Sequence, residues 1–270
     1  MIAAIILLVL LAALYLLSLR CRRGHKGLAA LQGWKYAHRG LHDAARPENS
    51  MAAFRAALEN GFGIELDIHL LKDGNLAVMH DSSLRRTAGA EVNIEDLTTE
   101  DLSLYHLLGI DETIPTFSQV LELFDGKAPL IVELKTAGNN HAQLAEAACN
   151  MLDRYHGPYC IESFDPRCIY WLKKHRPDII RGQLAENFLT VKSSVPWILR
   201  FMLTYQLLNF LTVPDFAAYK FADRKNLSNF LARKLWGMQG VSWTLRSAQD
   251  LETAMNEGYL PIFEGFSTTP

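Results

Sequence analysis

The sequence predicts an α/β fold, a (β/α)8 barrel preceded by one membrane-crossing helix. Three observations predict it. From Trp34 onward, short strand-like runs alternate with amphipathic helical patterns, as parallel strands joined by crossover helices do. Acidic, basic and histidine residues gather at the downstream ends of those runs, where barrel active sites are built. Ahead of them, ~18 residues after Met1 are almost wholly apolar, the length of a short spanning helix.

That first run, Ile2 to Leu19, is interrupted only by Tyr15 and Ser18. Arg20, Arg22, Arg23 and Lys26 follow it, and nothing basic precedes it. A signal peptide has the reverse order, with charges first and small residues at a cleavage site. Arg20 also stands where a lipidated Cys21 would need a small residue. The charge order predicts a transmembrane anchor over 1–20 and a basic juxtamembrane linker over 21–33, with the rest of the chain, 34–270, in the cytoplasm.

Strand patterns follow at Trp34–Ala37, Gly63–Leu70, Leu76–His80, Leu130–Leu134, Tyr159–Ser163, Ile179–Leu184, Phe216–Tyr219 and Gly240–Leu245. Pro261–Phe263 is a ninth, so one of the nine must lie outside an eight-stranded barrel. Phe216–Tyr219 and Pro261–Phe263 carry the weakest patterns. Helical patterns lie between, at Ser50–Asn60 (closed by Gly61), Phe117–Phe124, Ala142–Arg154, Pro166–His175, Asn226–Leu235 and Ala248–Asn256. Two stretches break the rhythm. Residues 82–115 are polar and read as a small lobe inserted after the third strand. Residues 185–214 are apolar where a loop should be polar.

Composition narrows the function. The 270 residues are 49% hydrophobic and 21% charged, an ordinary globular balance. A net charge of −2 without a basic stripe gives no footprint for nucleic acid. Cys21, Cys149, Cys160 and Cys168 lack the spacing of a zinc site and read as free thiols.

The chemistry lies in four motifs: Ala37-His38-Arg39-Gly40, Glu65-Leu66-Asp67, His80-Asp81 and Glu133-Leu134-Lys135. Strand alternation puts Glu65 and Asp67 on one face, with Ile64, Leu66 and Ile68 on the other. Glu133 and Lys135 share a face in the same way. Three carboxylates suit a hard, oxygen-loving cation such as Mg²⁺ or Ca²⁺. On its own Lys135 is also readable as a plain strand-end lysine, and His38 and His80 as buried, hydrogen-bonded histidines. His42, His69, His106, His141, His156 and His175 have no motif around them and read as surface or loop residues.

In order and flanks these motifs resemble the glycerophosphodiester phosphodiesterase family, over the chain from Tyr36 to the C-terminus. Pro47-Glu48-Asn49-Ser50 is similar to the family's Pro-Glu-Asn run. Trp243-Thr244 is similar to its late Trp-Thr pair, whose Trp lines the pocket. The resemblance implies a TIM barrel with Glu65, Asp67 and Glu133 on a divalent cation. His38 and His80 would be the acid–base pair, and Arg39, Lys135 and Trp243 would meet the substrate. It implies hydrolysis of glycerophosphodiesters to sn-glycerol 3-phosphate and an alcohol, or of lysophospholipids at the membrane. For Asn49 two readings stand, a helix cap or a support of the site. The ending, Phe263-Glu264-Gly265-Phe266, departs from the family's Ile-Thr-Asp-like run.

The apolar stretch 195–211 admits two placements. It is either an outer helix packed on the barrel, or a segment beside the mouth whose Trp197, Phe201, Tyr205 and Phe210 rest in a bilayer interface.

Overall fold

The computed structural model describes residues 1–192 and 195–270. After helix α1 (Ile2–Ser18) come β1 (Tyr36–His38), α2 (Met51–Glu59), β2 (Gly63–Leu70) and β3 (Leu76–Val78). A short helix α3 (Arg85–Ala88) and three 3₁₀ turns lead to α4 (Phe117–Phe124). Strands and helices then alternate through β4 (Leu130–Leu134), α5 (His141–Leu152), β5 (Tyr159–Ser163), α6 (Pro166–His175) and β6 (Arg181–Ala185). Helices α7 (Trp197–Thr204) and α8 (Asn209–Thr212) precede β7 (Phe216–Lys220), α9 (Leu227–Trp236), β8 (Gln239–Leu245), α10 (Ala248–Asn256) and β9 (Tyr259–Phe263).

Eight of the nine strands are parallel and close into a TIM barrel, because β1 pairs with both β2 and β9. Both of the weakest patterns are barrel strands. The strand left outside is β3, which runs antiparallel to β2, with Val78 opposite Ile68. The expected third barrel strand is therefore the return arm of a hairpin. The cause is local. Lys72-Asp73-Gly74-Asn75 turns the chain back at once, with Gly74 at a φ of 84°, where a crossover to a parallel strand needs a dozen residues or more. The lobe thus interrupts the barrel after its second strand. It keeps its own apolar cluster, including Leu71, Met79, Leu84, Ile94 and Leu102.

Period-two alternation divides the strands as expected. Ile64, Leu66 and Ile68 face the helices with Leu130, Val132 and Leu134. Ile131, Cys160, Leu184, Ala218 and Val241 belong to a second buried cluster, with Tyr36 and Ile262. Helices α2, α4, α6, α9 and α10 start on side-chain caps: Ser50, Thr116, Asp165, Asn226 and Ser247 each accept from a backbone N–H of the first turn. Each such cap contributes about 1 kcal/mol.

The expected transmembrane anchor forms a helix, but it does not span. Among the described residues no helix is long and apolar enough to cross a membrane. Helix α1 has 17 residues, or ~26 Å at 1.5 Å each, short of a ~30 Å hydrocarbon core. Its last turn is also committed elsewhere. Tyr15 Oη lies 2.7 Å from Ser228 Oγ, Trp236 Nε1 donates to Leu16 O at 2.8 Å, and Leu19 is fully buried. The expected linker is likewise partly docked, since Arg22 Nε donates to Asp215 Oδ1 at 2.6 Å and Cys21 is buried.

Candidate active site

His38 ends β1, and the chain then leaves the barrel through Arg39 at φ 55° and Gly40 at φ 82°. A Cβ on Gly40 would lie 2.9 Å from the backbone carbon of Ala53, so sterics and φ both demand glycine. The tight exit turns the Arg39 amide inward, where it donates to Glu65 Oε2 at 3.2 Å. Asn49, itself at φ 54°, closes the loop by donating its N–H to Arg39 O at 2.9 Å. Ser50 is the cap of α2, accepting from Ala53 N at 3.1 Å. Asn49 therefore serves the site: its Nδ2 donates to Asp67 Oδ2 at 2.9 Å.

Parallel register brings the carboxylates together. His38 pairs with Glu65, and Asp67, Glu133 and Glu162 form one row across β2, β4 and β5. Oxygens of Glu65, Asp67 and Glu133 lie within 4.8 Å of one another, and all three residues are buried. Lys135 Nζ donates to Glu133 Oε1 at 3.1 Å and lies 3.2 Å from Asp67 Oδ1. Arg39 Nε is 3.5 Å from Asp67 Oδ2, and Arg39 Nη1 donates to Glu48 Oε1 at 2.8 Å.

The electrostatics follow from crowding like charges in a dry place. Burial, then Asp67, Glu133 and Glu162, push Glu65 well above the carboxylate range. Glu162 is raised in the same way by burial and Glu133. Burial pushes Glu133 up to about 7, against the pull of Lys135. Asp67 goes the other way. Burial opposes its charge, but Lys135, His80, Arg39 and the Asn49 amide hold it below the usual range. The site thus holds more carboxylates than its two cations comfortably neutralise. Among the described residues, Glu162 Oε2 is buried without a hydrogen bond, and Asp67 Oδ1 meets the Lys135 ammonium as an ion pair. An all-oxygen set with such atoms fits a hard divalent cation, with Glu65, Asp67 and Glu133 as its holders.

Each histidine is steadied at Nδ1 by a carboxylate. His38 Nδ1 bonds Glu264, and His80 Nδ1 lies 2.6 Å from Asp81 Oδ1. An ionised carboxylate only accepts, so Nδ1 carries the proton and Nε2 is left to act. His38 Nε2 lies 3.8 Å from Glu65 Oε2. Burial lowers the pKa of both rings. Arg86 ties the second histidine to the first loop, donating to Asp81 Oδ2 at 2.5 Å and to Glu48 Oε1 at 2.7 Å. A cleft of about 40 Å³, room for an ion and a water, opens between His38, Arg39, Glu65, His80, Phe164 and Trp243.

The structure brings all eight expected residues to one place: His38, Arg39, Glu65, Asp67, His80, Glu133, Lys135 and Trp243. Two placements need correction. His80 follows the hairpin arm β3 and reaches the mouth from outside the barrel. His69 is no surface residue. It is 2% exposed and lies between Glu95 Oε1 at 2.7 Å and the carbonyl of His80 at 3.3 Å. Glu162 and Glu264 were not singled out. Glu162 had a signal, a lone acid inside the apolar strand Tyr159–Ser163. Glu264 lies in the ending that departs from the family pattern, and only the fold puts it on His38.

A barrel with this mouth belongs to the phosphodiester-cleaving class, and comparison with known proteins agrees. The model of the glycerophosphoryl diester phosphodiesterase family matches residues 38–263. The chain is 30% identical over 236 residues to a glycerophosphodiester phosphodiesterase of Caldanaerobacter subterraneus subsp. tengcongensis, covering 82% of this chain and 89% of that protein. It is 37% identical over 130 residues to that of Bacillus altitudinis, covering 44% of this chain and 52% of that protein. In fold it is similar to an Oleispira antarctica phosphodiesterase solved with the product sn-glycerol-3-phosphate. There the TM-score is 0.69 at 21% identity, over 86% of this chain and 92% of that one. The chain belongs to the glycerophosphoryl diester phosphodiesterase family and is a phosphoric diester hydrolase.

Proposed function

We propose that the chain hydrolyses glycerophosphodiesters to sn-glycerol 3-phosphate and an alcohol, with metal-assisted, two-histidine chemistry. The observation that carries this is the juxtaposition of a buried carboxylate trio with two histidines, each held at Nδ1 by its own acid. A bound Mg²⁺ or Ca²⁺ supplies charge neutralisation for a phosphodiester that otherwise repels its nucleophile. The chain's own groups do the rest. Arg39 and Lys135 hold phosphoryl oxygens as negative charge grows on them. One of His38 and His80 takes the proton of the attacking hydroxyl through Nε2, and the other gives a proton to the departing oxygen. A glycerol hydroxyl beside the phosphate attacks more readily than water, because it is already in place. It expels the alcohol and leaves a cyclic phosphate, which water then opens to sn-glycerol 3-phosphate with the two histidines exchanging roles. Isothermal titration with Mg²⁺ and with Ca²⁺ tests the trio. Asp67→Ala should abolish a binding isotherm that the unsubstituted protein shows. An unchanged isotherm would move the cation elsewhere.

A second reading, hydrolysis of a lysophospholipid, is favoured by the apolar wall of the cleft, where Phe164 and Leu184 stand with Trp243. Turnover of lysophosphatidylcholine against glycerophosphocholine separates the two. We place the barrel at a membrane, on its cytoplasmic side. Support comes from the exposed apolar α1 and from four buried cysteines that are free thiols. Protease added outside intact cells should leave the barrel whole, and a cut barrel would reverse the orientation.

A further inference from the structure

The segment 195–211 buries three polar side chains while it exposes apolar ones. Thr204 and Gln206 are each 2% exposed and Asn209 1%. Trp197 is 64% and Ile198 60% exposed, and Leu199 to Leu203 are half-buried. A helix packed on a barrel shows the opposite pattern. Trp197, Phe201 and Tyr205 stack along α7, with ring centroids 5.7 and 4.8 Å apart.

Helix α7 lies over the rim of the mouth. Arg200 donates to the carbonyls of Phe188, Leu189 and Val191 in the loop after β6. The Phe188 ring packs on Phe164, which packs on Trp243 in the cleft. At its other end, Thr204 O accepts from Tyr219 Oη and from Asn226 Nδ2, the cap of α9. Phe210 and Leu211 are also exposed but leave this face, since Leu211 O accepts from Lys173 of α6.

Helix α1 points the same way. Its Tyr15 meets Ser228 in the first turn of α9, at the mouth end, whereas Leu16 and Cys21 meet Trp236 in the last turn. Followed back toward Met1, α1 therefore rises past the rim. Residues 1–14, ~20 Å of helix, are exposed throughout and bear no polar side chain on any face. A helix with one apolar stripe fits a protein groove, whereas a helix apolar all round fits hydrocarbon. Twenty ångströms reach into a bilayer without crossing it. Lys192 and Lys225 are exposed on the same rim, placed for anionic headgroups.

We infer that α1 and α7 dock together on a lipid surface, with α1 sunk into the acyl region and Trp197 and Ile198 at its interface, so that the barrel mouth opens against the membrane. The inference deepens the lipid reading of the substrate, and its docking part stands without it.

The test uses the full chain in vesicles of phosphatidylcholine with a minority of phosphatidylglycerol. A spin label is placed at Ile198→Cys, with a control at Glu122→Cys on α4; the native thiols are buried. The label at 198 should gain oxygen collisions and lose several-fold in collisions with a water-soluble nickel chelate, while the control stays aqueous. Equal aqueous access at both positions overturns the docking. So does dipolar broadening between labels at 198, which would assign the face to a second copy. In the same vesicles, Trp197→Ser with Ile198→Ser should leave turnover of soluble glycerophosphocholine unchanged and lower turnover of vesicle-borne lysophosphatidylcholine several-fold. Equal effects on both substrates overturn the claim that α7 sets the mouth on lipid. Only this last arm rests on the proposed activity, so a failure of that activity leaves the label result to decide.

Discussion

At the scale of single residues, division of labour comes from environment. Asp67 and Glu133 sit side by side in the register, yet Asp67 is held charged while Glu133 is pushed up to about 7. Lys135 serves both acids, so the difference is Arg39, His80 and the Asn49 amide, which favour the charge on Asp67. His38 and His80 also differ in surroundings: the side chain of His38 is 11% exposed, whereas that of His80 is 31% exposed. Replacing either with Ala should cost on the order of 10²–10⁴ in kcat and leave metal affinity nearly intact. A nitrophenolate leaving group, which needs no proton, should restore the rate in the variant that lacks the acid. Loss of rate undiminished by that substrate in both variants would rule out the two-histidine scheme. Much of this was legible in the sequence, because strand alternation alone puts Glu65 with Asp67 and Glu133 with Lys135. Glu264 was not. Its partner His38 is paired by barrel closure, and nothing local in Phe263-Glu264-Gly265 announces it.

At the scale of elements, tight connections decide which side chains reach the mouth. The hairpin turn after β2 brings His80 back beside Asp67 and sets the lobe at the rim. Strand propensity alone could not distinguish this arm from a barrel strand, since both are short apolar runs. The decisive signal was the length of the turn. The exit after β1 depends on Gly40 in a comparable way. Gly40→Ala must take φ 82° and meet Ala53 at 2.9 Å, which should cost about 2 kcal/mol or more. Urea unfolding monitors the loss, and turnover should fall with it as Arg39 is displaced. A variant with unchanged midpoint and rate would show that this turn is not under constraint. Helix α1 teaches a different lesson. Its composition predicts a membrane-crossing helix, but length was counted from sequence, which could not show that Tyr15 to Leu19 are held by α9 and the barrel.

The whole molecule carries its site as a stored repulsion. Glu65, Glu133 and Glu162 are raised acids, so the folded chain keeps protons that the unfolded chain has released. Stability of the metal-free protein should therefore fall as pH rises from 4.5 through about 7. Asp67 acts oppositely, but below its ordinary range and outside this window, while His38 and His80, whose pKa burial lowers, oppose the fall inside it, two groups against three. A cation takes the place of those protons. Thermal melts in chelator should thus drop by several degrees between pH 5 and pH 7, and added Mg²⁺ or Ca²⁺ should raise the pH 7 melt more than the pH 5 melt. A melt with the same pH slope in chelator and in metal would mean that the trio does not hold the ion.

Four barrel strands and the hairpin arm bring eight candidate side chains to one mouth, which we propose cleaves a glycerophosphodiester only with a cation on Glu65, Asp67 and Glu133. The direct measurement is release of sn-glycerol 3-phosphate from glycerophosphocholine by the purified full chain, in chelator and after return of Mg²⁺ or Ca²⁺. Chelation should lower turnover ~100-fold or more, one of the two ions should restore it, and the triple change of Glu65, Asp67 and Glu133 to Ala should be inactive in either condition. Full turnover in chelator, or by the triple variant, would contradict this proposal.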